Sequence, residues 1–398
     1  MKKICLVTDG SIPVPPVKGG AVGTLIMFLV EQNEIDHMVE FYVFGPYDSE
    51  AAGLAKKYQY THFIFYPYDN QLEKCLSRLS RYGNKLSKVC RNDEIPCYSS
   101  FYRKCKVDIL KIKPDYIVCE GGPQPAAFFI FSKEFNRDQL YLHLHGNWFP
   151  SPLVSHMFGG IISVSRFIEA EYRSVCTDKR VAYHVVYNCI DTKMFMQRLT
   201  FDERRAMRRK LGFSEDDFVV VFCGRICADK GVKELVEAII AQNDNIKLLL
   251  IGSVNFGMEA HSAYEAEIGK LIKAHKDKIK ATGYLYNREV WRYHQCADCE
   301  AVPSLWEEPG SLTVIEGMTS ALPLVVTDSG GIPEEVNDEC ALTIQRAGDV
   351  PVELRQAFEY LRDNPQQRQE MGHAAEVRAR KFSQKNFYQD YIHCFGIN

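Results

Sequence analysis

Phe218-Val219-Val220-Val221-Phe222-Cys223-Gly224-Arg225-Ile226-Cys227-Ala228-Asp229-Lys230-Gly231 is the stretch that decides the fold. Its first six residues are apolar without alternation. A strand with one face in water alternates, so an unbroken run points to a parallel strand buried on both faces. The run stops at a glycine, then offers two cations, then a second glycine that opens a helical segment over 231–242. Strand, turn and helix in this order are the unit of a doubly wound α/β sheet, which binds ligands outside the carboxyl ends of its strands. Arg225 and Lys230 fall at such an end. An arginine grips a diphosphate bidentately and a lysine adds a point charge. Either alone reads equally well as a surface charge; the pair, followed by Gly231, favours a phosphate.

The same alternation extends in both directions. Strands are predicted at 3–8, 39–44, 62–66, 115–119, 139–145, 161–164 and 183–187, and again at 218–223, 246–252, 278–282, 299–302, 323–327 and 340–344. Helical segments fall between them, including 262–275, 311–320 and 352–363. Two such series argue for an α/β protein of two Rossmann-like, doubly wound domains. We place the first over 1–190 and the second over 191–383. In 384–398, Phe387, Tyr388, Tyr391, Ile392 and Phe395 recur at helical spacing, which predicts a last helix crossing back to the first domain.

Composition narrows the function. The 398 residues carry a net charge of −3, so no whole-chain field draws the protein to nucleic acid. The apolar run at 4–7 ends at Thr8-Asp9, too short for a secretory core, and no run approaches a membrane span. A cytoplasmic protein is expected, peripheral to a membrane at most. The 14 cysteines are scattered, mostly in apolar runs, as expected of buried thiols in a reducing compartment. Cys296 and Cys299 form one Cys-x-x-Cys, but no second pair has a zinc site's spacing, and packing is the preferred reading.

The segment Glu308-Pro309-Gly310-Ser311-Leu312-Thr313-Val314-Ile315-Glu316 sets two carboxylates around a helix start. Pro309-Gly310 makes a turn and Ser311 suits an N-cap. The amides of Ser311, Leu312 and Thr313 should then be free to meet an anion. Two solvated glutamates on a capped helix would share this pattern. In the first series, Lys18-Gly19-Gly20-Ala21 follows a proline-rich loop and opens a helix, where glycines let a backbone approach phosphate. The spacing is not Gly-x-Gly-x-x-Gly, which disfavours a nicotinamide dehydrogenase. In Tyr141-Leu142-His143-Leu144-His145-Gly146-Asn147-Trp148, alternation puts both histidines on one face. His143 suits a hydrogen-bonded core position and His145 the strand's end, where it can meet a sugar hydroxyl or developing charge. Residues 72–90 predict an amphipathic helix with Lys74, Arg78, Arg81, Lys85 and Lys88 on one face and Leu72, Cys75, Leu76, Leu79, Leu86 and Cys90 on another. A solvated face is one reading; contact with anionic lipid or an anionic glycan is the other.

With these motifs assembled, the sequence resembles the retaining family-4 glycosyltransferases (group 1) of the GT-B fold. The resemblance is carried by Gly19-Gly20, His145-Gly146, Ser163-Val164-Ser165, 188–191, Gly224-Arg225, Lys230-Gly231, Gly283, Pro303-Ser304 and 308–316. Within the family it looks nearest to lipopolysaccharide-core N-acetylglucosaminyltransferases and spore-coat glycosyltransferase-like proteins, on the loop 12–20, the His-Leu-His segment and the insert 252–264. The resemblance implies a UDP-sugar donor, a glycan acceptor and no cofactor or metal. It implies that Glu316 binds ribose, Glu308 holds donor-sugar hydroxyls, and Arg225 and Lys230 grip the diphosphate beside the amides of Gly310, Ser311 and Leu312. Gly20 would approach phosphate, His145 would contact the donor sugar, and Tyr284 and Leu285 would border the base. His145, Glu308, Arg225 and Lys230 are thus the expected catalytic set. The chain departs from the family at Pro309-Gly310-Ser311, where an aromatic and Gly-Leu are usual, and at Tyr187-Asn188-Cys189 in place of a Pro-Asn-Gly hinge. No Asp-x-Asp pair occurs. A GT-B sugar-nucleotide epimerase would need further acid–base carboxylates. A non-catalytic glycosyltransferase-like structural protein would have no need of the intact charged set.

Overall fold

The computed structural model describes residues 1–17, 19–91, 97–121, 125–147, 149, 151–176, 178–242, 245–253 and 262–397. Lys18, Trp148 and most of the insert 252–264 lie outside the described residues, as do the side chains of Lys88 and Cys90. The chain divides into two compact units, 1–188 with 384–398, and 189–383.

In the first unit, β1 (Lys2–Val7), β2 (Val39–Pro46), β3 (Thr61–Tyr66), β4 (Tyr116–Glu120), β5 (Leu140–Leu144), β6 (Gly160–Ser163) and β7 (Ala182–Val185) form one sheet in the order β3-β2-β1-β4-β5-β6-β7. In the second, β8 (Phe218–Cys223), β9 (Ile246–Ile251), β10 (Ile279–Ala281), β11 (Cys299–Val302), β12 (Leu324–Thr327) and β13 (Ala341–Ile344) take the order β10-β9-β8-β11-β12-β13. All these strand pairs are parallel. The apolar runs are explained by this, because the central strands are buried on both faces: Val219, Val220 and Val221 are inaccessible to solvent, as are Ile4, Cys5, Leu6 and Val7.

Both orders reverse beside their first strand, between β1 and β4 and between β8 and β11. Helices that leave such neighbours cross to opposite faces, so a crevice opens at the strands' carboxyl ends. Each unit has a cavity at this place. In the first it measures about 230 Å³ and is bordered by Thr8, Asp9, Gly20 and Glu120. In the second it measures about 330 Å³.

The last helix, Gln384–His393, packs on Ala21–Asp36 within the first unit. Tyr388 and Tyr391 are fully buried there. The Tyr388 hydroxyl donates to Asn33 Oδ1 at 2.6 Å, and the Asn33 amide in turn donates to the Val39 carbonyl at 2.9 Å. Cys296 and Cys299 are both buried free thiols, with Cys296 Sγ donating to the Arg292 carbonyl at 3.4 Å.

Candidate functional sites

The cavity of the second unit gathers Arg225, Lys230, Tyr284, Leu285, Glu308, Gly310, Ser311 and Leu312. Local geometry explains the convergence. β8 delivers Cys223 and Gly224 to the sheet edge, and the chain turns through Gly231 at φ +64° into the helix Val232–Ile240. A side chain on Gly231 would run into the Pro303 carbonyl oxygen, so the turn at the end of β8 lies directly against the segment leaving β11. That contact brings Lys230 beside Glu308. The two form an ion pair, and Ser304 Oγ donates to the same carboxylate oxygen. Glu308 is buried, so its charge is compensated where it stands. Arg225 differs: it is exposed at the rim, and among the described residues its guanidinium bonds to no protein group.

The helix Leu312–Thr319 starts at the cavity, with Ser311 as N-cap accepting from the Val314 amide at 3.4 Å. One expectation is corrected here. The Ser311 amide is not free, because it donates to Glu335 Oε1 at 2.8 Å. Glu335 arrives from the short helix Ile332–Glu335 and is buried, and burial pushes its carboxyl well up from the ordinary range. A phosphate at this helix end therefore meets the amides beyond Ser311, not that of Ser311 itself.

Glu316 is not among the residues lining the cavity. It lies within the helix, 7% exposed, and burial raises its pKa to about 8. Behind it stands Glu300 on β11, fully buried, with neither carboxylate oxygen hydrogen-bonded among the described residues. Burial, and then the neighbouring Glu316, push the Glu300 carboxyl well up from its ordinary range. Cys223, His294 and Glu316 place ligand atoms within 4.8 Å of one another, as do Glu120, His143 and His145 in the first unit.

In the first unit Gly19 and Gly20 both have positive φ, +76° and +122°, and Gly20 caps the helix Ala21–Asp36 and borders the cavity. His143 is buried in β5 and bonds Glu120 through Nδ1 at 2.9 Å, while its Nε2 is buried with no hydrogen-bond partner among the described residues. His145 lies one residue beyond β5 and bonds the same carboxylate through Nε2 at 3.0 Å. Glu120 and Tyr391, which join these histidines to the last helix, were missed by sequence reasoning, as were Glu300 and Glu335.

The basic helix spans Gln71–Arg91. It attaches through a polar edge: Ser100 Oγ donates to Glu73 at 2.5 Å, Ser77 Oγ to the Tyr98 carbonyl at 3.3 Å, and the Tyr98 amide to Ser80 Oγ at 2.6 Å. Its leucines consequently face outward. Leu72 is 69%, Leu76 41%, Leu79 64% and Leu86 47% exposed, and Lys74, Arg78, Arg81 and Lys85 are exposed as well. No described helix is long and apolar enough to cross a membrane.

Residues 203–378, inside the second unit, match the family model described as Glycosyl transferases group 1. Spore coat protein SA of Bacillus subtilis (strain 168) is 24% identical over 350 residues, 84% of this chain and 83% of that protein. The lipopolysaccharide 1,2-N-acetylglucosaminetransferase of Salmonella typhimurium is 26% identical over 204 residues, 50% of this chain and 51% of its own. The crystal structure of Anabaena HepE in complex with UDP-glucose covers 100% of both chains at 16% identity, with a TM-score of 0.75. WaaG, a glycosyltransferase involved in lipopolysaccharide biosynthesis, also covers 100% of both chains at 13% identity, with a TM-score of 0.64. At these identities the structural likeness is one of fold, and the fold is GT-B.

Proposed function

The chain is a glycosyltransferase with a group 1 domain at residues 203–378, and from that premise we propose that it moves a hexose or N-acetylhexosamine from a UDP-sugar to a glycan acceptor, with retention, in bacterial surface polysaccharide synthesis. The observation that carries this reading is the convergence of eight expected donor-side residues on one cavity of about 330 Å³ at the switch point of the sheet. Arg225 is a charged group there with no partner among the described residues, as a diphosphate grip requires. Lys230 adds its charge while holding Glu308 in place for the sugar hydroxyls. Tyr284 and Leu285 border the base, and Glu316 takes the ribose.

Charge develops on the departing diphosphate during transfer. Fixed cations and helix amides aimed at that charge lower the barrier without reorganising. The departing phosphate oxygen accepts the acceptor's proton as attack proceeds on the same face. We therefore propose that no metal is needed. A hydrolysis and thermal-shift panel of UDP-glucose, UDP-galactose, UDP-N-acetylglucosamine and GDP-mannose, with and without chelator, tests both statements. One UDP-sugar should be turned over and should raise the melting temperature, unaffected by chelator. Stabilisation by the GDP-sugar alone would overturn the donor class, and a metal-reversible loss of turnover would overturn the metal-free route.

The basic helix supports a second element of the proposal, a peripheral contact with anionic lipid. Exposed leucines beside a basic stripe match an interfacial helix, and each basic group near such a surface contributes about 1 kcal/mol. Co-sedimentation should show binding to vesicles containing phosphatidylglycerol and release by high salt, with the Arg78→Glu/Arg81→Glu variant failing to bind. Equal binding to neutral vesicles, or none to anionic ones, would remove this element.

A further inference from the structure

Glu300 and Cys223 share one face of the second sheet. Glu300 on β11 pairs with Val221 on β8, and Cys223 lies two residues beyond Val221, so both side chains point the same way. Two helices bring further ligand groups to them. His294 ends the helix Asn287–His294, and Glu316 projects from Leu312–Thr319. Ligand atoms of Cys223, His294 and Glu316 lie within 4.8 Å of one another, and Cys223 also lines the donor cavity.

The cluster leaves lone pairs unused. His294 is inaccessible to solvent; its Nδ1 meets Ser320 Oγ at 3.3 Å, and its Nε2 has no hydrogen-bond partner among the described residues. That bare nitrogen faces Glu300 Oε1 at 3.8 Å, too far for a hydrogen bond. A Cβ on Gly317 would strike Glu300 Oε2, so this carboxyl lies directly against the helix that carries Glu316. An unpaired buried polar group costs about 1–3 kcal/mol, and here several stand together. Burial, and then Glu316 and Glu300, push the Cys223 thiol well up, and burial raises both carboxyls. No lysine or arginine among the described residues offsets any of the three. Thiolate, imidazole and carboxylate together suit Zn²⁺ better than Mg²⁺ or Ca²⁺. Tetrahedral zinc sets its ligand atoms about 3.3–3.8 Å apart, which asks each side chain to move by about 1 Å or less.

We propose that Cys223 Sγ, His294 Nε2 and a Glu316 carboxylate oxygen form an inhibitory Zn²⁺ site, with Glu300 on its fourth side, and that the ion takes from UDP the carboxylate that would hold the ribose. The ion is an inhibitor and not a cofactor, so transfer does not need it. The competition rests on the reading that Glu316 takes the ribose; binding of the ion does not. Ser320 is a positioning residue. Its hydroxyl accepts the Nδ1 proton of His294 and so keeps the Nε2 lone pair toward the ion, as partners of metal-bound histidines do. The Cys223 thiol gives up its proton to solvent as the sulfur binds.

The test titrates full-length, chelator-stripped protein with Zn²⁺ against a competing indicator, and with Co²⁺ as a spectroscopic stand-in. One equivalent of Zn²⁺ should bind. Co²⁺ should give a thiolate charge-transfer band and the intense visible bands of a tetrahedral site. Cys223→Ser, which exchanges one atom, should lose the charge-transfer band and about 10²-fold in affinity, while Ser320→Ala should keep the band and lose about tenfold. Saturating Zn²⁺ should raise the Kd for UDP at least about tenfold, and UDP should weaken Zn²⁺ by the same factor. Protein that takes up no stoichiometric Zn²⁺, or takes it up unchanged in Cys223→Ser, overturns the site. Zinc held through Cys223 beside an unchanged UDP Kd overturns the inhibition, and with it the ribose reading of Glu316. No zinc uptake beside a Glu316→Ala variant that binds UDP poorly overturns the zinc site alone.

Discussion

Replacing Arg225 with alanine is expected to lower UDP-sugar turnover by about 10³-fold and to leave the melting temperature within about 2 °C of the parent. Both halves follow from its position. The guanidinium stands exposed at the cavity rim with no protein partner among the described residues, so folding loses almost nothing when it goes. Transfer loses a fixed cation where phosphate charge develops, and one such donor is worth on the order of 10²–10³-fold. Lys230 offers no such separation. Its removal strands the buried Glu308 carboxylate, and breaking a buried pair from one side costs about 3–5 kcal/mol. A Lys230→Ala variant would therefore confound folding with catalysis. Steady-state kinetics beside a thermal melt decide the matter for Arg225: turnover within tenfold of the parent would end its assignment to the phosphate.

The second large effect is expected at Glu316. Its carboxyl is buried and titrates at about 8, so at pH 7 the unliganded protein holds it mostly as the acid. Two ribose hydroxyls donate best to the ionised form, so UDP binding should release a proton and tighten as pH rises to about 8, then level off. Hydrogen bonds to a charged group contribute about 1.5–3 kcal/mol each, so Glu316→Ala should weaken UDP about 10²-fold or more at pH 8.5 and flatten the pH dependence. Calorimetry in two buffers of different ionisation heat reads both quantities, and an unchanged Kd would overturn the ribose assignment. Stability should move the other way. The folded pKa lies above the unfolded one, so the folded state binds more protons, and stability is lost as pH rises through about 8. Glu316→Gln should accordingly melt above the parent at pH 9 while binding UDP less well.

The sheets were legible because burial on both faces leaves runs such as Phe218–Cys223 with no alternation, and because each run ends in a glycine or a polar turn. The second unit's cavity was legible for the same reason, since Arg225 and Lys230 follow a strand whose end could be read. Glu120 was not, for a specific cause. Reading β4 as ending at Cys119 put the carboxylate in a loop, whereas the strand runs one residue further and carries it into the sheet's centre. The signal was present: a lone carboxylate followed by Gly121 at the end of an apolar run has the same form as Gly224-Arg225. Glu335 and Glu300 gave less. A capped helix written in sequence does not show that a carboxylate from a later short helix takes the Ser311 amide. Nor does a single acidic residue in a strand reveal that it faces Glu316 in the interior. Tyr391 appeared only as one apolar position of a helix; its hydroxyl acquires meaning from a partner 271 residues away. The helix Gln71–Arg91 shows the opposite limit: its amphipathic pattern was plain, but which face met the protein depended on Ser77, Ser80 and Glu73 finding partners at Tyr98 and Ser100.

The first unit is not contiguous along the chain, since residues 384–398 complete it after the whole second unit has intervened. During synthesis Glu120, Asn33 and the face of Ala21–Asp36 are made early and wait without Tyr391 and Tyr388 until the helix Gln384–His393 emerges. Domains generally fold in order as they emerge, so here the second unit can be finished while the first still lacks its closing element. A chimera joined at residue 188 inherits this debt unless residues 384–398 travel with the residues they cover.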